Sequence, residues 1–263
     1  MQPTQSADEI GVEFERYGDG QPLLLLYGGM APTEYWGPVI PEFEGYGAVV
    51  PQRPGFGTCL DSPAETNADE VLDREVRYVR ALADAVDGDP ILFGHSYGAL
   101  TAIEAAAGTS VEAVIAYEPA VLPAEYRADA DLADRMASLV QDGKREEAVK
   151  RYIEQVLHPD GIEDLDAWLA EWPVWPDCVA LAEEVVRMNR SVEQYRLPDH
   201  FDVDTPTLVL SGTGGPDFLR QSARAVHDAL PHSRFVEFDG VSHSGPAEAP
   251  ALIAAEVDAF LQN

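Results

Sequence analysis

The chain has 263 residues, 46% of them hydrophobic, which is enough for one large domain with a buried core. Its 47 acidic and 17 basic residues give a formal net charge of −30, so nucleic acid and anionic lipid surfaces are unfavourable partners. No apolar run reaches the roughly 20 residues that span a bilayer, and residues 1–8 lack the basic and apolar regions of a signal peptide. We therefore expect a cytoplasmic protein that is not bound to a membrane.

The basic residues have an unusual composition. Only Lys144 and Lys150 are lysines, and the other fifteen are arginines. Self-repulsion of so many acidic groups destabilises a compact state at low salt, whereas at about 1 M salt the Debye length falls to roughly 3 Å and the repulsion is largely screened. The composition favours a protein of a salty cytoplasm, as in a halophilic microbe. An acidic surface that serves solubility alone is the alternative.

The chain contains two cysteines, Cys59 and Cys178, far apart in sequence. Two reduced thiols in a cytosolic protein are expected, with a disulfide as the alternative. No group of cysteine and histidine residues has the spacing of metal ligands. We therefore expect no metal site.

Short apolar runs predict a mostly parallel β-sheet that is buried on both faces. Glycine or polar residues bound these runs, and helical patterns separate them, which is typical of an α/β fold with helices on both faces of the sheet. Residues 9–17 alternate in polarity and predict an edge strand. The buried strands are predicted at residues 23–27, 48–50, 91–93, 113–117, 207–210 and 235–238.

The alternation of strands and helices stops between Val121 and Pro206. That stretch holds helical patterns at residues 129–141, 145–157, 165–172 and 179–188, with Pro173 and Pro176 between the last two. A connection of about eighty residues exceeds a simple crossover. We predict a helical cap, residues 122–205, inserted into a core of residues 1–121 and 206–263, above the sheet edge where such folds bind ligands.

The motif Gly94-His95-Ser96-Tyr97-Gly98 follows a predicted strand and precedes a predicted helix at residues 99–107. A serine on such a tight turn is exposed at the edge of the sheet, while the flanking glycines avoid clashes with the neighbouring strand and helix. We predict that Ser96 is a nucleophile. A helix-capping serine is the alternative.

A serine hydroxyl needs a base to become a strong nucleophile. His243 follows the last predicted strand and precedes a closing helix at residues 247–261, so its loop is able to reach the edge where Ser96 lies. His95 is expected to point away from Ser96. The remaining histidines, His158, His200, His227 and His232, lie in turns, in a loop or on a polar helix face and are expected at the surface.

An acyl-transfer nucleophile requires backbone N–H donors for the developing oxyanion. The amide of Tyr97, next to the nucleophile, is one candidate. The loop that follows the first buried strand contains Gly28 and Gly29, and Gly29 is our second candidate. A plain strand-ending turn is the alternative for this loop.

The chain resembles the α/β-hydrolase superfamily from about Gly11 to the C-terminus, and it looks most like small esterase-like members with a helical cap. Serine in the elbow is unlike the haloalkane dehalogenase and epoxide hydrolase relatives, which use aspartate there. The resemblance is carried by residues 23–29 with Trp36, 51–57, 94–98, 117–119, 206–212 and 240–243.

Two departures from the family pattern are visible. Tyr27 replaces the histidine that usually precedes the glycine pair, which affects the packing of the loop. The family's usual acid position holds Gly215, so the acid is either Asp217 or Glu118, which ends the preceding strand as it does in some relatives. We favour Glu118. Asp217 would otherwise cap the following helix, and Glu118 would bind loop amides.

Three tryptophans of the predicted cap, Trp168, Trp172 and Trp175, line an apolar substrate pocket in one interpretation and form cap core in the other.

The resemblance implies hydrolysis of an ester or similar carbonyl in a small molecule, without a cofactor. Lactone hydrolysis, carbon–carbon bond hydrolysis and perhydrolysis use similar residues. A non-catalytic small-ligand receptor on the same fold is the alternative from another class, and an acidic protein-binding module lacks any supporting patch or repeat. The oligomeric state stays open.

Overall fold

A computed structural model of the chain describes residues 5–7, 12–31, 33–52, 68–128, 130–159, 161–172 and 174–262. Several predictions concern residues outside this set. They are the start of the first predicted strand at residues 9–11, the motif residues 53–57, Cys59, Asp129 and Pro173.

The described strands form a single sheet with the order β1-β2-β4-β3-β5-β6-β7-β8. The six strands β3 to β8 run parallel, whereas β1 and β2 are antiparallel to their neighbours. This confirms the mostly parallel sheet. The strands are β1 (Gln5–Ala7), β2 (Val12–Tyr17), β3 (Gln21–Leu26), β4 (Tyr46–Pro51), β5 (Ile91–His95), β6 (Ala113–Tyr117), β7 (Thr207–Gly212) and β8 (Ser233–Phe238).

Helices follow most of the parallel strands, and five of them lie between β6 and β7. We call α3 to α7 the inserted helices. The described helices are α1 (Ala68–Ala85), α2 (Tyr97–Ala106), α3 (Leu132–Gln141), α4 (Arg145–Tyr152), α5 (Leu165–Ala170), α6 (Trp175–Ala180), α7 (Ala182–Gln194), α8 (Asp217–Ala229), α9 (Gly245–Glu248) and α10 (Pro250–Leu261).

The apolar run of β3 is buried on both faces of the sheet because successive side chains of a strand point in opposite directions. Leu24 and Leu26 belong to an apolar cluster that also contains residues of α1, α2 and α8. Leu23 and Leu25 pack on the other face with residues of α10. Burying one such leucine contributes roughly 1.5–3 kcal/mol, so the alternation fixes which side of β3 meets which helices. Helices cover both faces, as predicted.

The inserted helices are joined to the core through α1. Arg74 of α1 and Glu184 of α7 are both buried, and Arg74 Nη2 lies 3.4 Å from Glu184 Oε2. Arg187, one turn further along α7, pairs with the other oxygen of Glu184 at 2.5 Å. A buried charge that loses its partner is strongly destabilising, so these contacts hold α7 in place over the core.

Several predicted boundaries are wrong. β2 is an inner strand, since it pairs with β1 as well as β4. Pro176 was expected to separate two helices, but it lies in the first turn of α6, where its missing N–H is not needed. The closing helix is broken at Ala249, before Pro250, into α9 and α10. A π-helical turn, Ile153–Leu157, continues α4.

Among the described residues, none of the helices combines the length and the apolarity that crossing a membrane requires.

Candidate active site

Ser96 lies on a sharp turn between β5 and α2. A Cβ atom at Gly94 would come within 2.3 Å of the carbonyl oxygen of Gly98, and one at Gly98 within 2.1 Å of the carbonyl oxygen of Leu26. Both contacts are impossible for a real side chain. The two glycines of the motif therefore allow β5, α2 and the end of β3 to pack this closely around Ser96.

Two described residues other than glycine have a positive φ, and both belong to the predicted site. Ser96 has φ 57° and Glu118 has φ 44°. Such conformations cost of order 1–3 kcal/mol each and persist where the surrounding structure enforces them, commonly at functional sites. The Ser96 N–H donates to the carbonyl of Tyr117, and the Glu118 N–H donates to the carbonyl of Leu210. Backbone hydrogen bonds thus hold both strained residues at the ends of neighbouring strands.

Glu118 and His243 form a buried pair. Nδ1 of His243 lies 2.6 Å from Oε2 of Glu118. The other carboxylate oxygen, Oε1, accepts hydrogen bonds from the Ser211 hydroxyl at 2.9 Å and from the Gly212 N–H at 3.1 Å. The carboxylate has no exposed surface, and its hydrogen bonds fix its orientation. Nε2 of His243 is buried and has no hydrogen-bond partner among the described residues.

Asp217, the alternative acid, lies elsewhere. Its side chain is 66% exposed at the start of α8 and is 3.5 Å from Nη1 of Arg220. It accepts a hydrogen bond from Gln221 at 2.7 Å. Of the two candidate acids, the structure brings only Glu118 to His243.

His95 packs against His243. Its Nε2–H donates to the backbone carbonyl of His243 at 2.9 Å, and the two ring centroids are 4.6 Å apart. Tyr35 stacks on His95 with ring centroids 4.8 Å apart. Burial and the neighbouring His243 hold the pKa of His95 well below its usual range, so His95 is neutral at physiological pH. In addition, the Tyr117 hydroxyl donates to the carbonyl of Ser242 at 2.6 Å.

The glycine loop after β3 passes directly over Ser96. A Cβ atom at Gly28 would lie 3.1 Å from the Cβ of Ser96. Gly29, Ser96 and Tyr97 line one cavity, which brings both candidate oxyanion donors close to the serine. A Cβ atom at Gly29 would lie 2.8 Å from the Tyr152 hydroxyl, so a larger residue there requires the Tyr152 side chain to shift.

Two cavities adjoin Ser96. The first, which we call the α7 cavity, has a volume of about 310 Å³, and its apolar lining includes Val121, Leu132, Met188, Val192 and Phe218. The second, which we call the tryptophan cavity, has a volume of about 350 Å³, and its lining includes Tyr35, His158, Trp168, Trp172 and His243. Core and inserted helices contribute to both cavities, so a small molecule reaching Ser96 contacts both parts of the fold.

The three tryptophans have different surroundings. Trp168 and Trp172 line the tryptophan cavity, whereas Trp175 packs against the hydrophobic core and is not among the residues that line either cavity.

His158, expected at the surface, lines the tryptophan cavity, and burial lowers its pKa. Cys178 is a buried thiol whose pKa burial raises to about 12. In the part of the chain that the structure describes, no group of three or more His, Cys, Asp or Glu side chains is arranged to hold a metal ion.

Sequence reasoning missed the residues that reach the site from distant segments. Ser211 directly follows the strand predicted at residues 207–210, and nothing in its neighbours indicates that it would bind Glu118. Tyr152, which lines both cavities, lies within a correctly predicted helical pattern. Its aromatic side chain on a buried helix face was the only available signal.

A sequence profile described as the alpha/beta hydrolase family matches residues 23–256. No curated protein matches the sequence significantly. An alpha/beta hydrolase from Sphaerobacter thermophilus is 25% identical with a TM-score of 0.80, covering 98% of this chain and 99% of that chain.

Two further solved structures share the fold. The enol-lactonase from Burkholderia xenovorans is 17% identical with a TM-score of 0.75, covering 99% of this chain and 100% of that one. MenH from S. aureus is 18% identical with a TM-score of 0.74, covering 95% of this chain and 97% of that one.

Proposed function

Since this chain belongs to the alpha/beta hydrolase family, we propose that it is a serine hydrolase that cleaves an ester or related carbonyl of a small, largely apolar molecule. Ser96 is the nucleophile, His243 the general base and Glu118 the acid that orients the histidine. The observation that carries this proposal is the buried 2.6 Å contact between His243 Nδ1 and Glu118 Oε2. It leaves Nε2 as the nitrogen that exchanges protons with the substrate.

The proposed reaction is acyl transfer to water. The Ser96 oxygen attacks the carbonyl carbon while its proton passes to Nε2 of His243, and the amides of Gly29 and Tyr97 stabilise the oxyanion. The bond to the leaving oxygen then breaks, and Nε2 returns the proton to that oxygen, which releases an alcohol. Water attacks the acyl-enzyme in the same way, with its proton taken by Nε2 and passed to Ser96. The products are a carboxylic acid and an alcohol.

We assign residues 122–205 as a helical cap on a core of residues 1–121 and 206–263. The mixed lining of both cavities supports this division, since Tyr152 and Met188 of the inserted helices and Ser96 of the core line the α7 cavity together. Carboxylesterase is the default activity. Lactone, carbon–carbon bond and peroxy-acid chemistry would use the same residues and differ in the substrate.

A non-catalytic receptor was the alternative because Gly215 occupies the family's usual acid position. The receptor interpretation depends on a missing acid. The Glu118 carboxylate lies beside Gly215 and is available as that acid. The observations therefore favour an enzyme over a receptor.

Labelling with a fluorophosphonate tests the proposal, because such probes react with activated serines. The expected result is one label per chain, mapped to Ser96 by proteolysis and mass spectrometry. Ser96→Ala should abolish labelling, whereas Ser110→Ala, which changes an exposed serine outside both cavities, should leave it intact. A folded protein that is unlabelled, or labelled equally in Ser96→Ala, contradicts the proposal.

The acidic surface supports a second part of the proposal, that the protein works in a salt-rich cytoplasm. Acidic residues outnumber basic ones by 47 to 17, and at molar salt the repulsion between them is largely screened.

A further inference from the structure

The two cavities meet at the nucleophile. Gly29, Ser96 and Tyr152 line both the α7 cavity and the tryptophan cavity. An ester bound with its carbonyl carbon at Ser96 therefore has one space available for the acyl part and another for the alcohol part.

The position of His243 distinguishes the two spaces. His243 lines the tryptophan cavity but is not among the residues that line the α7 cavity. Its Nδ1 is held by Glu118, and its buried Nε2 has no hydrogen-bond partner among the described residues. A general acid must be within hydrogen-bond reach of the atom that it protonates. The leaving oxygen therefore lies on the tryptophan side of Ser96.

A single turn of the inserted helices separates the cavities. Helix α4 ends at Tyr152 and continues as the π-helical turn Ile153–Leu157. Gln155 and Val156 of this turn line the α7 cavity, whereas Leu157 and the following His158 line the tryptophan cavity. π-helical turns within helices are frequent at functional sites. A bound substrate would straddle this turn, with its two halves in different surroundings.

The tryptophan cavity suits an aromatic ring. Trp168 lies in edge contact with His158, with ring centroids 5.4 Å apart at 70°, and 5.3 Å from Trp172. Trp168 is 37% exposed, so part of its ring is available for contact with a ligand. Aromatic pairs contribute beyond their buried area. The lining of the α7 cavity has more aliphatic side chains, among them Val121, Leu132 and Val192, together with the flexible Met188, and its aromatic members include Tyr126 and Phe218. Aliphatic side chains and methionine adapt to a flexible acyl chain.

We infer that the preferred substrate is an ester of an aromatic alcohol, with the aromatic ring at Trp168 and Trp172 and an aliphatic acyl chain in the α7 cavity. This inference rests on the proposed serine-hydrolase function and goes beyond it by assigning each half of the substrate to a cavity.

Two isomeric esters test the assignment. Benzyl acetate carries its ring on the alcohol side, whereas methyl phenylacetate carries the same ring on the acyl side, and neither has an activated leaving group. Trp168→Ala should lower kcat/KM for benzyl acetate by about tenfold, the size of a lost aromatic contact, and should change kcat/KM for methyl phenylacetate much less. Trp168→Phe, which keeps a ring, should recover most of the loss.

Two further variants complete the test. Phe218→Ala, in the α7 cavity, should lower kcat/KM for methyl phenylacetate more than for benzyl acetate. Leu252→Ala serves as the matched control, because Leu252 is a large exposed side chain (49%) on α10, outside both cavities, and should change neither ester.

The outcomes separate the two proposals. If Ser96 is not labelled by a fluorophosphonate, the serine-hydrolase proposal fails and the inference fails with it. If Ser96 is labelled but benzyl acetate is not cleaved, or Trp168→Ala affects methyl phenylacetate as much as or more than benzyl acetate, only the assignment of the cavities is overturned.

Discussion

Gly215 faces the carboxylate of Glu118. A Cβ atom at position 215 would lie 3.4 Å from each carboxylate oxygen of Glu118 and 3.1 Å from the backbone nitrogen of His243. A side chain at position 215, in the loop after β7, would therefore reach the same place as the side chain of Glu118 at the end of β6. Glycine at position 215 leaves space for the Glu118 carboxylate, which contacts His243 from the neighbouring strand.

The first prediction concerns the identity of the acid. Glu118→Gln keeps the shape of the side chain but removes the charge that stabilises the imidazolium, so kcat for ester hydrolysis should fall by about four orders of magnitude. Asp217→Asn should stay close to wild type, because Asp217 is exposed and contacts Arg220 and Gln221. Circular dichroism of both variants checks that they are folded. Severe loss in Asp217→Asn with normal turnover in Glu118→Gln would reverse the assignment.

The second prediction moves the acid from one strand to the other. Gly215→Asp alone places a second carboxylate beside Glu118, and the like charges should lower kcat. Combined with Glu118→Gln, the same substitution should raise kcat at least about tenfold above Glu118→Gln alone, since a carboxylate again faces His243. Gly215→Asn in the Glu118→Gln background is the matched neutral control and should not restore turnover. Equal rates for the aspartate and asparagine double variants would show that a carboxylate at position 215 does not replace the one at position 118.

The sequence predicts those parts of the site that depend on neighbouring residues. Gly94 and Gly98 flank Ser96 within five residues, and the clash that a side chain at Gly94 would make with Gly98 is a property of the local turn. The clash of a side chain at Gly98 is instead with Leu26 of β3. The apolar run of β3 likewise predicts its own burial, because both faces of a central parallel strand are covered.

Other parts depend on contacts between distant segments. The sequence left Glu118 and Asp217 as alternatives because both lie a few residues beyond a buried strand. What distinguishes them is the contact between Glu118 and His243, 125 residues apart in sequence. The contact of His95 with the carbonyl of His243 spans 148 residues. Helix breaks such as the one before Pro250 were also missed, because two short helices and one long helix share the same apolar pattern.

The third prediction concerns His95 as a positioning residue. His95→Leu removes the hydrogen bond to the carbonyl of His243 and the ring contact, so the His243 imidazole should be less well oriented. A neutral hydrogen bond is worth about 1 kcal/mol, which corresponds to a fall in kcat of about fivefold, with KM nearly unchanged.

His95→Gln provides the control, since its amide is able to donate to the same carbonyl, and it should recover part of kcat. A rise in KM without a change in kcat would indicate that His95 shapes the substrate site and does not act through His243.

The last prediction is that salt stabilises the fold. Raising KCl from 0.05 M to about 2 M shortens the Debye length from more than 10 Å to about 2–3 Å, which screens the repulsion among 47 acidic residues. The melting temperature should therefore rise with KCl. A matched variant carries Glu44→Gln, Asp87→Asn and Glu163→Gln, three exposed positions at which the charge is lost and the size kept. Its melting temperature should be higher than that of the wild type at 0.05 M KCl and should rise less with salt. A melting temperature that does not rise with KCl would leave solubility as the reason for the acidic surface. If the melting temperatures of the two proteins rise in parallel with KCl, the stabilisation does not come from screening of these three charges.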